Sequence, residues 1–491
     1  MGSLGRALSK GSIRCLTTAA AARESAEGSL FQRLTALAGT DGSAGVELNK
    51  WLEEGKSVKK WEIERFIKRL RGYKRFKHAL QLSEWMDTKD MKLSRGDYAV
   101  RIDLLAKTQG VDSAEKYFHS LPKAKRNWAT YGALLNCYCV NKMTEKAESL
   151  FGKMKEEKFA CTSLVYNNIM TLYLKIDQPQ RVPPLVQEMK GKGLKLDIVS
   201  YNLLMNSYAA MNDVEGAEKV VEEMKGEGKA GGWSTYSNLA AIYVKAGLFE
   251  KAESTLKEVE KTEGTKSREV FQFLMSLYAG TGNAAEVYRI WDALKSAFPK
   301  STNLSHLVML QSLVRLGDIS GARVFFDEWE SKCLHYDFRL TNVMISVYLN
   351  RNMINEAESI FEGAKKKGGI PTVRTMEIFM DYHMKNAQFD FVLKFLDEAI
   401  TKSYSNNWKM SVEKFQPLKK YFEENGNVDG AEELYEKFKK TNSLEAAVYD
   451  SLLRTYIAAG RTEPTMRQRI EADKVEVNPE MEKLLEKVCP L

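Results

Sequence analysis

The chain has 491 residues, more than one ordinary hydrophobic core serves, so its length calls for several domains or a repeat array. Hydrophobic residues make up 44% and charged residues 28%, with only ten prolines, which excludes broad disorder and favours long helices. No run of about eighteen apolar residues occurs, which excludes a transmembrane helix, and a formal charge of +8 permits a polyanionic partner without requiring one.

In chain order, residues 1–28 read as a mitochondrial presequence and disordered N-terminus. The first 23 carry Arg6, Lys10, Arg14 and Arg23 with no acid, and place Leu4 and Leu8 on one helical face. Polar and charged residues interrupt the apolar stretch a secretory signal needs, and Arg-rich, acid-free composition favours the mitochondrial matrix over the chloroplast. Residues 29–60 form an N-terminal helical segment. Between residues 59 and 78 stand Lys59, Lys60, Arg65, Lys68, Arg69, Arg71, Lys74, Arg75 and Lys77 against Glu62 and Glu64, with Tyr73 and Phe76 interleaved. Such a density can neutralise several phosphates, whereas the plainer reading of a charge run is a solvated helix face.

A repeat follows. Tyr131, Tyr166, Tyr201, Tyr236 and Phe271 are spaced by 35 residues, and seven residues after each comes a second aromatic: Tyr138, Tyr173, Tyr208, Tyr243 and Tyr278. Seven residues is about two helical turns, so both rings mark one face of a first helix. Further on, a small or β-branched residue recurs as Ala79, Ala114, Ala147, Val182, Ala217, Ala252, Val287, Ala322, Ala357, Val392 and Ala431, in steps of 35, 33, seven of 35, and one of 39. It marks where a second helix crosses the first and limits how closely the two approach. Gly110, Gly247, Gly282, Gly317 and Gly426 fall between the two helices, where a left-handed residue ends a helix. Residues 61–470 thus read as about eleven helical hairpins, each unable to bury its own apolar face and therefore stacked on its neighbours. Pro479 stands at the favoured first position of a short helix, and residues 471–491 are expected to cap the last hairpin.

Chemistry-bearing residues are sparse. The six cysteines are scattered without zinc-ligand spacing and read as reduced, buried thiols, while His306 and His383 occupy aromatic slots of the repeat. Gly280 to Ala285 satisfies a loose GxGxxA string but lies in an inter-helix turn, where no strand precedes it. The Lys365, Lys366 and Lys367 run reads as favourable charge at a helix C-terminus. No nucleophile, phosphate loop, cofactor motif or metal cluster emerges, so no catalysis, cofactor, membrane or small-molecule substrate is expected.

The pattern Y-N-x-(L/I)-(M/L)-x-x-Y followed by A-E-x-(V/L)-x-x-E-M-K at a 35-residue period resembles the pentatricopeptide repeat, covering about residues 61–470. The segment WEIERFIKRLRGYKRFKHALQLSEWM at 61–86 is similar to the opening of plain-class members from plant mitochondria. The resemblance implies an all-α superhelical solenoid that binds single-stranded organellar RNA, one base per repeat. The reading residues are then the one after the first aromatic and the last of the repeat: Gly132 with Thr162, Asn167 with Asp197, Asn202 with Gly232, Ser237 with Ser267, Gln272 with Thr302, Leu307 with Asp337, and Asn342 with Thr372. Only Asn167 with Asp197 matches a combination the family uses, the one associated with uracil. Base-edge contacts are therefore expected from Asn167, Asp197, Asn202 and Asn342, and phosphate contacts from Lys68, Arg69, Arg71, Lys74 and Arg75.

Gly132 and Leu307 offer no polar side-chain group, so the ladder does not spell a continuous base code. Three readings follow. The first is a factor that holds or protects a mitochondrial transcript for processing, stability or translation. A second is a structural subunit of the mitochondrial ribosome, seated on ribosomal RNA among ribosomal proteins, since some family members belong to its small subunit. The third is a protein-binding scaffold without RNA.

Overall fold

The computed structural model describes residues 30–37, 42–159, 162–228, 232–262, 267–403, 413–441 and 443–489. The presequence expected over 1–28 lies outside them. Every regular element among the described residues is helical. The chain divides into two compact units, Met1–Leu248 and Phe249–Leu491.

In the first unit a short helix α1 (30–36) precedes α2 (Ala44–Glu53), α3 (Lys60–Gly72), α4 (Phe76–Thr88), α5 (Arg95–Gln109), α6 (Val111–Ser120), α7 (Trp128–Val140), α8 (Thr144–Glu156), α9 (Ser163–Lys175), α10 (Val182–Gly191), α11 (Ile198–Ala210), α12 (Val214–Gly226) and α13 (Trp233–Lys245). From α5 onward the odd-numbered helices pack side by side as one layer, and each even-numbered helix packs on the first helix before it and the one after. A hairpin's apolar stripe is thus closed by the next hairpin. The segment before α3 covers the first hairpin: Leu30, Phe31 and Leu34 are buried, Phe31 stacks on Phe66 at 5.8 Å, and Trp85 donates to Asn49 across 2.9 Å.

The second unit runs α14 (Phe249–Lys261), α15 (Arg268–Thr281), α16 (Ala284–Ala297), α17 (Asn303–Arg315), α18 (Ile319–Lys332), α19 (Phe338–Asn350), α20 (Ile354–Lys366), α21 (Val373–Lys385), α22 (Phe389–Ser403), α23 (Gln416–Asn425), α24 (Val428–Lys440), α25 (Ala446–Ala458), α26 (Met466–Ala472) and α27 (Pro479–Val488). Here α15, α17, α19 and α21 form the first-helix layer. The helix α27 begins at Pro479, is capped by Asn478 accepting from the Met481 amide, and packs on α25.

The small-residue ladder is buried from Ala79 to Ala431, ten of its eleven members at 0% exposure and Ala431 at 8%. The turn residue stands five positions before nearly every ladder member. Gly247, Gly282, Gly317 and Gly426 are left-handed there as expected, while Gly110 departs with φ 94° and ψ 168°; Lys74, Lys142, Asp177, Asn212, Asn352 and Ala387 are left-handed too, with φ between 52° and 58°. The backbone requirement is periodic even where glycine is not. A Cβ at left-handed φ costs about 1–2 kcal/mol, partly offset by glycine's greater chain entropy. Ala387→Gly is therefore expected to stabilise the second unit by about 0.5–1 kcal/mol. A melting temperature that stays level or falls sinks that account.

The recurring Tyr and Glu slots are joined across helices. The Tyr166 and Tyr201 hydroxyls donate to Glu188 and Glu223 of their own second helices at 3.0 and 3.4 Å. Tyr243 donates instead to Glu218 of the preceding hairpin at 2.7 Å, and Tyr138 likewise to Glu115. Burial pushes the Glu115 carboxyl up, but Lys146 and the Tyr138 hydroxyl outweigh it and hold it below its ordinary value. Hydroxyls inside the stack thus keep acceptors that stay charged at neutral pH.

Candidate nucleic-acid interface

Charge separates the two units. The first holds 39 Lys and Arg against 28 Asp and Glu, whereas the second holds 34 against 37. A polyanion therefore meets an attractive field on the first unit only.

The densest part of that field is α3. Ile63, Phe66, Ile67 and Leu70 point into the core, which turns Arg65, Lys68 and Arg69 outward. The Arg69 guanidinium lies 3.7 Å over the Phe31 ring, which covers one face of the cation while the residue stays exposed. The left-handed turn then presents Lys74 and Arg75, both exposed, beside Tyr73 at 62% exposure. Lys68, Lys74 and Arg75 have no side-chain partner among the described residues. Arg71 differs: its Nη2 donates to Asp103 at 2.9 Å, and Asp103 also accepts from Lys107. A second basic group, missed in the sequence, is Lys123, Lys125 and Arg126 just before α7, of which Lys123 and Lys125 are exposed. Its signal was the short string PKAKRN, outside the aromatic ladder.

The base-edge residues fall into two states. Asn167 is 5% exposed and closed on itself: its amide donates to Asp197 at 3.1 Å and its carbonyl oxygen accepts from the Ser200 hydroxyl at 2.8 Å. Asp197 caps α11 through the Ser200 amide and accepts from Ser163 as well. Burial pushes the Asp197 carboxyl up, but those hydroxyl and amide donors together hold it below the carboxylate range. The pair that matched the family's combination is thus tied between α9 and α11. Asn202 and Asn342, by contrast, each keep a buried Oδ1 without a hydrogen-bond partner among the described residues. Gln272 donates to Ser305 at 3.1 Å, Leu307 is buried, and Asp337 is bound through two contacts by Arg339.

Between α5, α7 and α9 lies a groove of about 400 Å³. Gly132 and Ala129 line it, Arg71 and Asp103 close one side, and Trp128 and Leu164 stand at it with 47% and 65% exposure. Cys137 and Cys139 are buried, which pushes their thiols up to about 12. His383 stacks on Phe391 at 4.8 Å and His306 packs on Trp291 at 5.2 Å. The Gly280 to Ala285 string joins α15 to α16 through left-handed Gly282, and Lys365 and Lys366 end α20. Among the described residues no three His, Cys, Asp or Glu side chains gather as a metal site requires.

The pentatricopeptide repeat domain profile matches residues 184–246, and the PPR repeat profile matches 129–159, 234–261 and 340–369. Two Arabidopsis thaliana proteins named as mitochondrial pentatricopeptide repeat-containing proteins, At1g02370 and At4g01990, are each 41% identical over 94% of this chain and cover 87% and 92% of their own lengths. A third, the Arabidopsis large ribosomal subunit protein mL101, is 40% identical over 94% of both chains. The crystal structure of maize PPR10 shares the fold, with a TM-score of 0.51 over 90% of this chain at 18% identity, and this chain spans 63% of its length. The stacked hairpins, their 35-residue register and these relatives identify the chain as a member of the pentatricopeptide repeat family.

Proposed function

We propose that this is a non-catalytic RNA-binding protein of the mitochondrial matrix, which holds its RNA on the first unit mainly through phosphates. The observation that carries this is the excess of nine positive charges over residues 29–248, 35 Lys and Arg against 26 Asp and Glu, with Lys68, Lys74 and Arg75 exposed and unpartnered among the described residues. The closed Asn167 and Asp197 network, together with Gly132 and buried Leu307, argues against a base read at every repeat. Asn202 and Asn342, each with a buried Oδ1 that lacks a partner among the described residues, are the proposed base-edge contacts, and Asn167 with Asp197 the pair that reads only if Ser200 yields. The names of the two Arabidopsis relatives support the mitochondrial assignment.

A second reading is a structural place in a ribosome, favoured by the identity to mL101 along nearly the whole chain. That relative is a large-subunit protein, so this reading moves from the small subunit to the large. Ultraviolet crosslinking of the tagged chain in intact mitochondria, followed by sequencing of the attached RNA, separates the two. Reads confined to one large-subunit ribosomal RNA segment mean the ribosomal role, and reads on one messenger or intron mean a transcript factor. An absence of crosslinked RNA sinks both in favour of a protein scaffold.

A further inference from the structure

Between the second helices α16 and α18, the start of α17 and the loop after α18 lies a cavity of about 390 Å³, within the range of ligand pockets. It is separate from the surface on which bases are expected to be read, since none of Gln272, Thr302, Leu307 and Asp337 lines it. Its walls are set in place. Trp329 donates from Nε1 to Asn303 at 3.1 Å, Asn303 donates to the His335 carbonyl at 2.9 Å, and Trp291 meets the His306 and Phe325 rings edge-on at 5.2 and 5.3 Å.

The register of the repeat shows what this cavity lacks. Tyr166 and Tyr201 each donate to the glutamate 22 positions on, Glu188 and Glu223, and Lys192 joins the first pair by donating to Glu188 at 2.7 Å and to the Tyr166 hydroxyl at 3.1 Å. In the same register stand His306, Glu328 and Lys332. The His306 ring takes the place of the tyrosine ring, 5.2 Å from Trp291 as Tyr166 is 5.2 Å from Phe151, but it carries no hydroxyl and its Nδ1 donates to the Thr302 carbonyl at 3.0 Å. Glu328 keeps Lys332, at 2.8 Å, as its one side-chain partner among the described residues, and both are exposed. The apolar cover is missing as well. Phe159, which follows buried Met154, packs on Tyr131 at 5.3 Å, whereas Leu334, at the matching distance after Trp329, is 94% exposed. A carboxylate with a cation beside it and aromatic walls, but no phenol between them, calls for a phenol from outside the chain.

We propose that this cavity receives a tyrosine side chain of a partner protein, whose hydroxyl donates to Glu328 and accepts from Lys332 as the chain's own Tyr166 does at Glu188 and Lys192. Tyrosine pairs an apolar ring with a polar tip, which is why it anchors protein interfaces. Leu334 at the rim adds the apolar contact a protein surface meets. A nucleic acid does not suit the place: Lys295 and Lys332 are each paired with an acid of their own helix, Asp292 and Glu328, so no run of free cations is offered to phosphates. Docking here is independent of RNA held by the first unit.

Ligand-observed NMR titration of the full chain with N-acetyltyrosinamide, N-acetylphenylalaninamide and adenosine monophosphate tests this. The tyrosine amide is expected to bind with a Kd on the order of 1 mM, the scale for so small a ligand, and about tenfold tighter than the phenylalanine amide, which lacks the hydroxyl. Glu328→Ala, at an exposed side chain, should bring the two affinities within about twofold of each other and leave the phenylalanine amide bound as before. His306→Tyr supplies the missing phenol from the chain itself, and should abolish the preference without lowering the melting temperature. Equal binding of the two amides by the wild-type chain overturns the proposal, as does a tyrosine preference that survives either variant, or no binding by about 10 mM. Adenosine monophosphate that binds more tightly and displaces the tyrosine amide overturns it as well, and assigns the cavity to a nucleotide.

Discussion

Reversing three charges, Lys68→Glu, Lys74→Glu and Arg75→Glu, is expected to weaken RNA binding by about 100-fold at physiological salt, because each phosphate left without its cation keeps the counterions it would otherwise release. These side chains are exposed, lack a partner among the described residues, and sit on one helix and the turn that ends it. Nothing in the fold depends on them, so the weakening reports binding rather than stability. The salt dependence is the sharper readout. For single-stranded RNA the slope of log affinity against log salt should shrink by about 2, close to 0.7 for each phosphate no longer neutralised. An equal reversal in the second unit, at the exposed Arg351, Lys385 and Lys394, should cost less than about threefold, since there the acids already outnumber the bases. Equal weakening by both triples would show that binding follows net charge alone and that the first unit holds no special surface.

The contrast between what the sequence disclosed and what it withheld follows from the range of the interactions. Tyr131 to Phe271 and the alanine ladder recur because each hairpin meets the same neighbour surface, and a repeated environment selects a repeated residue. Architecture was therefore legible from one chain. The left-handed turn at Lys74, Lys142 and Ala387 was not, because geometry is imposed there by the packed helices on either side and overrides the local preference for glycine. Site residues depended still more on distant partners. Arg71 reads in sequence as one more cation of a basic helix, and only Asp103, 32 positions on, withdraws it from the phosphate surface. Asn167 reads as an available amide until Asp197, the last residue of its own repeat, and Ser200, from the next, occupy both of its polar atoms. A residue type states what a side chain can bond; the neighbours decide what remains for a ligand.

Acid is expected to unfasten the C-terminal end of the second unit before its interior. The turn after α26 is held by Asp473, whose Oδ2 accepts from the Tyr449 hydroxyl at 2.6 Å and from the Tyr435 hydroxyl, while Lys439 approaches its other oxygen at 3.1 Å. Beside it, Arg469 binds Glu432 through two bonds of 2.8 and 2.7 Å, and the Tyr456 hydroxyl donates to the same carboxylate. Burial pushes both carboxyls up, but the hydroxyls with Lys439 hold Asp473, and Arg469 with Tyr456 holds Glu432, below the ordinary range. Groups with folded values below their unfolded ones give stability that is complete above about pH 4 to 5 and is lost as pH falls through the folded values. The interior hairpins rest mainly on burial, and a repeat array can open at one end without collapsing elsewhere. Asp473→Ala should reproduce the effect at neutral pH. It leaves the buried Tyr435 and Tyr449 hydroxyls, 3.0 Å apart, with only each other as acceptors, so one donor is unmet and the local cost is about 2–3 kcal/mol. Hydrogen exchange, corrected for its intrinsic pH dependence, should then show protection falling over residues 443–489 in the variant at pH 7 and in the wild type near pH 3, with 267–366 retained. Uniform loss of protection along the unit in either case would mean that the end is not fastened by these carboxylates but unfolds with the rest.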